Sequence, residues 1–358
     1  MTFDEVRAAF PVLERFAYLN AGTFGPVPKP VAEAVAARRR LDLERGRSGP
    51  AYFDWILDAR ERVRAKLAAL VGVEPEQIAL TRATTDGCNI VVAGLGLASD
   101  DEVVTTDAEH FGLVGALAAS GARIRVASVG EKAGEETLDA ILAQVGPRTR
   151  LIALSHVLWT TGNAVPVAEL KQRSRVPVLV DGAQSVGAIP VDARAFDFYT
   201  VSCQKWLCGP DATGALYVSD PESLSVAFPS YFSQSEFQPD GRYTPKPGGA
   251  RFDSGWLASG LLAGLEAALE FHPEWQFERA AEMARRCRDL LAERFEVVTR
   301  PEQGTLVSWK AEGVPEEIAA RAYDRGVVIR DLPRTQYVRA SCGYWTSSDD
   351  IDRLLAAV

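Results

Sequence analysis

Several features that mark particular classes of protein are scarce or absent in this chain. It has three histidines and five cysteines, and the cysteines are scattered without the spacing of metal ligands. We therefore expect no metal site, and free thiols in a reducing cytoplasm. No apolar run approaches the ~20 residues of a membrane span, and the N-terminus lacks the pattern of a secretory signal. The sequence thus predicts neither a membrane protein nor a disulfide-stabilised secreted one.

Charge and glycine patterns exclude further classes. The formal net charge of -9 argues against a nucleic acid or an anionic membrane as a partner. No glycine-rich dinucleotide fingerprint and no GK[ST] loop follows a predicted strand, which argues against a nucleotide-dependent enzyme. Hydrophobic residues make up 47% of the 358 residues, enough for a large core. A chain of this length is expected to form two domains.

From about residue 76, short apolar runs alternate with helical patterns. The runs are rich in β-branched residues and are continuous rather than alternating, which is typical of strands covered on both faces. We predict an α/β protein with a mostly parallel central sheet, in which functional side chains lie beyond the carboxyl ends of the strands. The predicted strands are 77–81, 102–106, 124–129, 151–155, 178–181, 198–202 and 214–218, and the helices lie near 85–95, 111–120, 136–145 and 167–173.

The pattern changes towards the C-terminus. Ser230–Gly249 is rich in Pro, Gly and Ser and is predicted to be a long loop, followed by a helix near Ser259–Phe271. After residue 272, helices at 277–294, 316–325 and 349–357 alternate with strand-like pieces at 296–299, 306–309, 327–330 and 337–340. We predict a large domain over residues 16–272 and a smaller α+β domain formed by residues 1–15 and 273–358.

Polar side chains occur where the predicted strands end. Lys205 follows an apolar strand, where poor solvation lowers the pKa of an amine and makes it nucleophilic; alternatively, it reaches solvent from the strand end. Asp181 could pair with a protonated pyridine nitrogen or cap the next helix. Thr84 and Thr85, at a strand-to-helix junction, suit a phosphate or a simple N-cap.

Two histidines and an arginine share this placement. His110 follows the strand 102–106 and could stack on a planar ring, and His156 follows the strand 151–155. Either could equally be an ordinary core histidine. Arg339 ends a strand of the smaller domain, and its planar guanidinium suits a carboxylate, although many such arginines are merely solvated.

The order and spacing of these residues resemble the class V aminotransferase and cysteine desulfurase family, which has pyridoxal 5′-phosphate (PLP) fold type I. The resemblance extends from Thr81 to the C-terminus and is carried by ATTDGCN, AEH, SHVLWTTG, VDGAQSVG, SCQKWLCGP, RFDSG and VRASCGYWTSSDDIDRL. Two of these motifs, SHVLWTTG and the stretch RASCGYWTSSDDID, match the cysteine/cystine carbon–sulfur lyases better than the desulfurases. The resemblance implies PLP as cofactor, an amino-acid substrate and a homodimer.

The resemblance also implies a role for each residue. Lys205 would hold PLP as a Schiff base and act as the base, Asp181 would pair with the pyridine nitrogen, and His110 would stack on the ring. The other implied contacts are from Gln184 to the ring hydroxyl, from Thr84, Thr85, Ser202 and Gln204 to the phosphate, and from Arg339, Thr160 and Asn20 to the substrate.

Three positions depart from the family pattern. Gln204 precedes the lysine where the family usually has histidine, so this side chain cannot titrate. Trp159 lies in the neighbourhood of an asparagine that the family places near the substrate carboxylate. Trp256 lies where the family sends a threonine across the dimer interface to the phosphate, and Ser254 or Ser259 could replace it.

A fourth departure bears on the reaction. Desulfurases carry a nucleophilic cysteine between the strand 327–330 and the carboxylate-binding arginine, but the segment Asp331–Gln336 has none. We therefore predict a carbon–sulfur β-lyase that converts cysteine, cystine or a cysteine S-conjugate to pyruvate and ammonia. The alternatives are a class V aminotransferase or isopenicillin N epimerase-like enzyme, and a non-catalytic PLP-binding homologue.

Overall fold

The computed structural model describes residues 1–358. The α-helices are α1 Phe3–Ala8, α2 Lys29–Arg45, α3 Pro50–Val71, α4 Thr84–Gly94, α5 Phe111–Ala119, α6 Glu135–Leu142, α7 Val167–Ser174, α8 Ser259–Glu270, α9 Gln276–Ala292, α10 Pro315–Asp324 and α11 Ser348–Ala357. The strands are β1 Ala17–Tyr18, β2 Ile78–Thr81, β3 Glu102–Thr106, β4 Arg123–Ala127, β5 Thr149–Ser155, β6 Val178–Asp181, β7 Phe198–Ser202, β8 Gly214–Val218, β9 Gln234–Phe237, β10 Tyr243–Pro245, β11 Leu306–Lys310, β12 Val327–Val328, β13 Arg330–Asp331 and β14 Tyr337–Ser341.

A seven-stranded sheet in the order β2-β8-β7-β6-β5-β3-β4 forms the centre of the molecule. Only β8 runs against its neighbours, and the remaining pairs are parallel. Val178 and Val180 of β6 pack into one buried cluster, whereas Leu179 packs into another on the opposite face. Because both faces are covered, the strand is apolar from Val178 to Val180, ahead of the terminal Asp181, and the predicted α/β fold with a mostly parallel sheet is confirmed.

The structure differs from the predicted elements in three places. The predicted loop at 230–249 contains the hairpin β9–β10, which turns near Asp240-Gly241, with Gly241 at φ 88. An Asp-Gly pair is a strong hairpin signal that the prediction missed. Residues 296–299 are not a strand and contribute a single bridge from Val297 to Trp309. The predicted strand 327–330 is divided, because β12 pairs with β1 and β13 pairs with β14.

The C-terminal part of the chain forms a three-stranded antiparallel sheet in the order β11-β14-β13. The N-terminal segment packs against this part. Arg7 of α1 pairs with Asp350 at 2.6 Å and donates to the Trp345 carbonyl oxygen at 2.7 Å. The domain division at residues 15/16 and 272/273 stays a prediction. No helix combines the length and the apolar character needed to cross a bilayer.

Candidate functional site

A cavity of about 240 Å³ lies where strands β5, β6 and β7 end. Most of the predicted site residues line it together: Thr84, Thr85, His110, Asp181, Gln184, Ser202, Gln204, Lys205 and Arg339. The cavity is also lined by residues that the sequence did not single out as site residues, namely Gly22, Thr23, Phe24, Ser155 and Arg330. These come from the N-terminal segment, the central sheet and the C-terminal sheet, so the site forms where the three parts meet.

Lys205 lies in a turn after β7, held by the N-terminal segment. The Gly25 amide donates to the Gln204 carbonyl oxygen at 2.8 Å, and a side chain at Gly25 would overlap the Lys205 carbonyl oxygen. Part of the Lys205 side chain is accessible from the cavity, but its amine is poorly solvated. This burial lowers the pKa of Lys205 to about 8, against the opposing charge of Asp181. The amine is therefore neutral at a mildly alkaline pH, as a nucleophile requires.

Asp181 ends β6 and is 3% exposed. Its Oδ1 atom accepts from the Ala183 amide at 2.9 Å and from the Thr200 hydroxyl at 3.5 Å. Both contacts use one oxygen, which leaves Oδ2 available to a cationic partner in the cavity. A protonated ring nitrogen is a partner of this kind.

The first turn of α4 faces the cavity with Thr84 and Thr85. No side chain caps this turn, so its amide N–H groups are available to an anion. Across the cavity, the Ser202 hydroxyl donates to Gln204 Oε1 at 3.0 Å, which leaves the Gln204 Nε2 group free to donate. These groups form a set of donors suited to a phosphate.

His110 lies at the edge of the cavity as the N-cap of α5. Its Nδ1 atom accepts from the Gly112 amide at 3.1 Å, and its ring is 5.6 Å from that of Trp159, edge to face at 87°. Burial, followed by the charge of Lys205, lowers the pKa of His110, so the ring is held neutral. A neutral imidazole fixed at Nδ1 is suited to contact a planar ring.

Gln184 is held by two contacts that orient its amide. Its Nε2 atom donates to the Gly22 carbonyl oxygen at 2.9 Å, and its Oε1 atom accepts from Trp206 Nε1 at 3.1 Å. One amide hydrogen remains for a ligand.

Two arginines face each other at the cavity. Arg330 of β13 and Arg339 of β14 are directly opposite in the strand register. Arg339 is 2% exposed and donates to the Trp159 carbonyl oxygen at 2.7 Å, while its buried Nε atom has no partner. Arg330 donates to the Thr23 hydroxyl at 3.3 Å. Burial, then the charge of Arg330, lowers the pKa of Arg339 to about 9. Neither guanidinium contacts a carboxylate of the chain, so both are available to an anionic ligand.

Arg330 is the main site residue that sequence reasoning missed. The available signal was a pair of arginines on two adjacent predicted strands, 327–330 and 337–340. The predicted substrate contacts Asn20 and Thr160 do not line the cavity. Asn20 accepts from the Thr23 hydroxyl at 2.8 Å, and Thr23 contacts Arg330, which links Asn20 to the site indirectly. Both residues stay predictions as substrate contacts.

The thiols of the chain lie outside the cavity. All five cysteines are free and buried, and none lines it. The segment between β13 and β14 forms a short turn, in which the Leu332 amide donates to the Tyr337 carbonyl oxygen at 3.0 Å. Of the two serines considered as substitutes near Trp256, Ser259 is buried and donates to Asp42, so only Ser254 remains.

The donor set fits PLP and an amino acid. Lys205 supplies an amine for the aldehyde, Asp181 a carboxylate oxygen for the ring nitrogen, the α4 terminus donors for the phosphate, and Arg339 a cation for a substrate carboxylate. A larger cleft of about 900 Å³ lies between α9 and residues 299–307, but it is lined by no lysine and no histidine. The chemistry therefore belongs to the smaller cavity.

Comparisons with known proteins agree with this fit. The family model for aminotransferase class V matches residues 26–354. An isopenicillin N epimerase from Streptomyces clavuligerus is 28% identical over 99% of this chain and 97% of its own length. A cysteine desulfurase from Escherichia coli is 31% identical over 76% of this chain and 72% of its own length.

Solved structures agree as well. A complex of the cystine C-S lyase C-DES with its reaction product cysteine persulfide has a TM-score of 0.90 and 29% sequence identity, covering 97% of this chain and 98% of that one. The predicted family, fold and enzyme class are confirmed. The chain belongs to the class V aminotransferase family and is a PLP-dependent enzyme.

Proposed function

We propose that this enzyme is a carbon–sulfur β-lyase that acts on an L-amino acid and releases pyruvate, ammonia and a sulfur-containing leaving group. One observation carries the choice of lyase over desulfurase: all five thiols are buried away from the cavity. A desulfurase needs a thiolate at the substrate to accept sulfur. The structural similarity to C-DES, a cystine C-S lyase, supports the same choice.

The residues of the cavity supply the steps of such an elimination. PLP, when bound, is the electron sink for charge that develops at the substrate α-carbon. Lys205 would hold the cofactor, and its amine would take the α-proton. Asp181 would hold a proton on the ring nitrogen, and Arg339 would fix the substrate carboxylate. The sulfur leaves with the electron pair of its bond to the β-carbon, and water completes the conversion to pyruvate and ammonia.

The second arginine favours a substrate with two carboxylates. Arg330 lies opposite Arg339 and, like it, contacts no carboxylate of the chain. One guanidinium would bind the carboxylate beside the reacting carbon, and the other would bind a distal carboxylate. Cystine has this arrangement, so among cysteine, cystine and cysteine S-conjugates we propose cystine as the preferred substrate.

Product analysis tests the proposal. Purified protein loaded with PLP should show a visible absorption band that is lost in Lys205→Ala. With cystine, pyruvate and ammonia should form in equal amounts. Accumulation of alanine with sulfane sulfur would contradict the lyase assignment, and an unchanged band in Lys205→Ala would contradict the role of Lys205.

A second candidate is an epimerase or aminotransferase. The match to isopenicillin N epimerase along 99% of the chain favours the epimerase, and the same lysine and aspartate would serve both reactions. Inversion of a chiral centre without release of pyruvate would support the epimerase. A requirement for an oxo-acid acceptor would support transamination.

We also propose that the enzyme is a homodimer. Phe53, Leu57, Tyr231 and Trp256 are large, exposed apolar side chains that we call the α3 patch. Phe53 and Leu57 are one helical turn apart on α3, and the buried Phe232 ring contacts the rings of both Tyr231 and Trp256. Trp256 packs edge to face on Phe53, with ring centroids 6.3 Å apart. An exposed apolar patch of this kind marks an interface, and a second copy is the proposed occupant because the family pattern sends a residue near Trp256 across the dimer.

The free state of all five thiols supports a cytoplasmic location.

A further inference from the structure

A second carboxylate, that of Glu109, lies beside Asp181 at the same edge of the sheet. Its Oε1 atom accepts from the Thr106 hydroxyl at 2.7 Å. Its Oε2 atom accepts from the Ser155 amide at 2.9 Å and from the Ser155 hydroxyl at 2.5 Å. Glu109 thus connects the end of β3 to the end of β5, and it does so without a cationic partner.

Ser155 connects Glu109 to the cavity. It lines the cavity and lies directly opposite Asp181 in the register of β5 and β6. The ionisable groups that face Glu109 are Asp181 on β6 and Cys88 on α4. Burial raises the pKa of Cys88 well above its usual value, so this thiol stays neutral. Asp181 is therefore the carboxylate that faces Glu109.

We propose that Glu109 is a positioning residue for the cofactor charge: held by Thr106 and Ser155, it adds a second negative charge beside Asp181 and thereby strengthens the retention of a proton on the ring nitrogen of PLP. Glu109 itself does not line the cavity. The inference depends on the proposed pairing of Asp181 with that nitrogen. Asp181 is the one acidic residue among those that line the cavity.

The charge on Glu109 changes near neutral pH. Burial raises the pKa of Glu109 to about 7, and the charge of Asp181 adds to this effect, against the hydrogen bonds from Ser155 and Thr106. Below that pH the group is neutral and adds nothing to the field at Asp181. Above it, the group is ionised and favours a positive charge on the cofactor. The effect should therefore appear only as the pH rises through about 7.

The variant Glu109→Gln separates this role from a structural one, because it keeps the shape and removes the charge. We would measure the dissociation constant of PLP from the holoenzyme, by its visible absorption band, between pH 6 and pH 8.5. Near pH 6, the dissociation constant of PLP from the variant should equal that from the wild type. At the high end it should bind PLP roughly three- to tenfold more weakly, the equivalent of half to one pK unit. A ratio that is the same at every pH would overturn the proposal.

Two further variants complete the experiment. Ser155→Ala removes one hydrogen bond to the ionised form of Glu109, so it should move the onset of pH dependence upward without abolishing it; an unmoved onset would contradict the proposal. Glu312→Gln removes an exposed carboxylate and should behave as the wild type. If the wild type had no visible band, the cofactor assignment would fail; a normal band with no difference between the wild type and Glu109→Gln would overturn only the role of Glu109.

Discussion

At the scale of single residues, the site depends on charges that lack a partner within the chain. Lys205, Arg330 and Arg339 line one cavity. Burial, together with the charges of Arg339 and Arg330, lowers the pKa of Lys205, and burial with the charge of Arg330 lowers the pKa of Arg339. Such an arrangement is unfavourable without a ligand, since Asp181 is the one carboxylate that lines the cavity with these three basic side chains. The phosphate of PLP and the carboxylates of a substrate would compensate it. The residues are therefore arranged for anionic ligands rather than for stability.

The role of Arg330 can be measured by exchanging it for a residue of similar length. Arg330→Met should reduce kcat/KM for cystine by roughly ten- to a hundredfold, because a hydrogen bond to a charged group is lost. For S-methylcysteine, which has a single carboxylate, kcat/KM should change less than threefold. Steady-state pyruvate formation with both substrates is the measurement.

The matched control for this variant is Arg321→Met, on the exposed surface of α10. It should leave both substrates unaffected. If kcat/KM fell equally for cystine and S-methylcysteine in Arg330→Met, Arg330 would not be the residue that binds the second carboxylate.

At the scale of elements, the packing of α4 against the central sheet places the N-terminus of this helix at the cavity. The helix begins at Thr84, shortly after β2 ends at Thr81, and Gly87 lies against the Thr200 side chain of β7. A methyl group at Gly87 would come within 2.7 Å of Thr200 Cγ2. This close approach brings the uncapped first turn to the cavity, where its N–H groups and the helix dipole attract an anion.

Replacing Thr84 by valine tests the phosphate contact. Thr84→Val keeps the shape and removes one donor, so the dissociation constant of PLP should rise by roughly tenfold. Pyridoxal, which lacks the phosphate, should bind the variant and the wild type equally. Absorbance titration of the apoenzyme with each compound gives both values. A matching loss for pyridoxal would place the effect away from the phosphate.

At the scale of the whole molecule, the site is complete only when distant parts of the chain meet. The segment Gly22–Phe24, the ends of the central strands and the arginines of the C-terminal sheet line one cavity. The α3 patch lies outside it, on the surface that we propose a second copy covers.

A charge placed in the α3 patch should separate the proposed dimer. Leu57 is 46% exposed, and Leu57→Glu would bury a carboxylate in the interface, which is strongly unfavourable. Sedimentation velocity should therefore show a dimer for the wild type and a monomer for the variant. Val314→Glu, at an apolar side chain that is 51% exposed near α10, should remain a dimer. A wild type that sediments as a monomer would contradict the proposal.

Much of the fold follows from local sequence patterns. Continuous apolar runs predicted the bounds of β3, β6, β7 and β8 to the residue. A strand that is buried on both faces needs apolar side chains on both, so it appears in the sequence as a continuous apolar run. The order of Asp181 and Lys205 at strand ends also indicated the edge of the sheet at which the cavity lies. These features depend on neighbours in sequence and on the general geometry of parallel sheets, so the sequence alone determined them.

Other features depend on contacts between segments far apart in the chain. Arg330 lies opposite Arg339 because of the register of β13 and β14. The predicted strand at 327–330 is divided because β12 pairs with β1, whereas β13 pairs with β14. The bridge from Glu109 to Ser155 joins two strand ends that are 46 residues apart. The low pKa of Lys205 is likewise a consequence of burial and of cations brought to it by folding. The sequence by itself determined that a lysine and an aspartate, Lys205 and Asp181, lie at the ends of two buried strands. Only the tertiary structure decided which charges surround them, because electrostatic energy depends on distance in space.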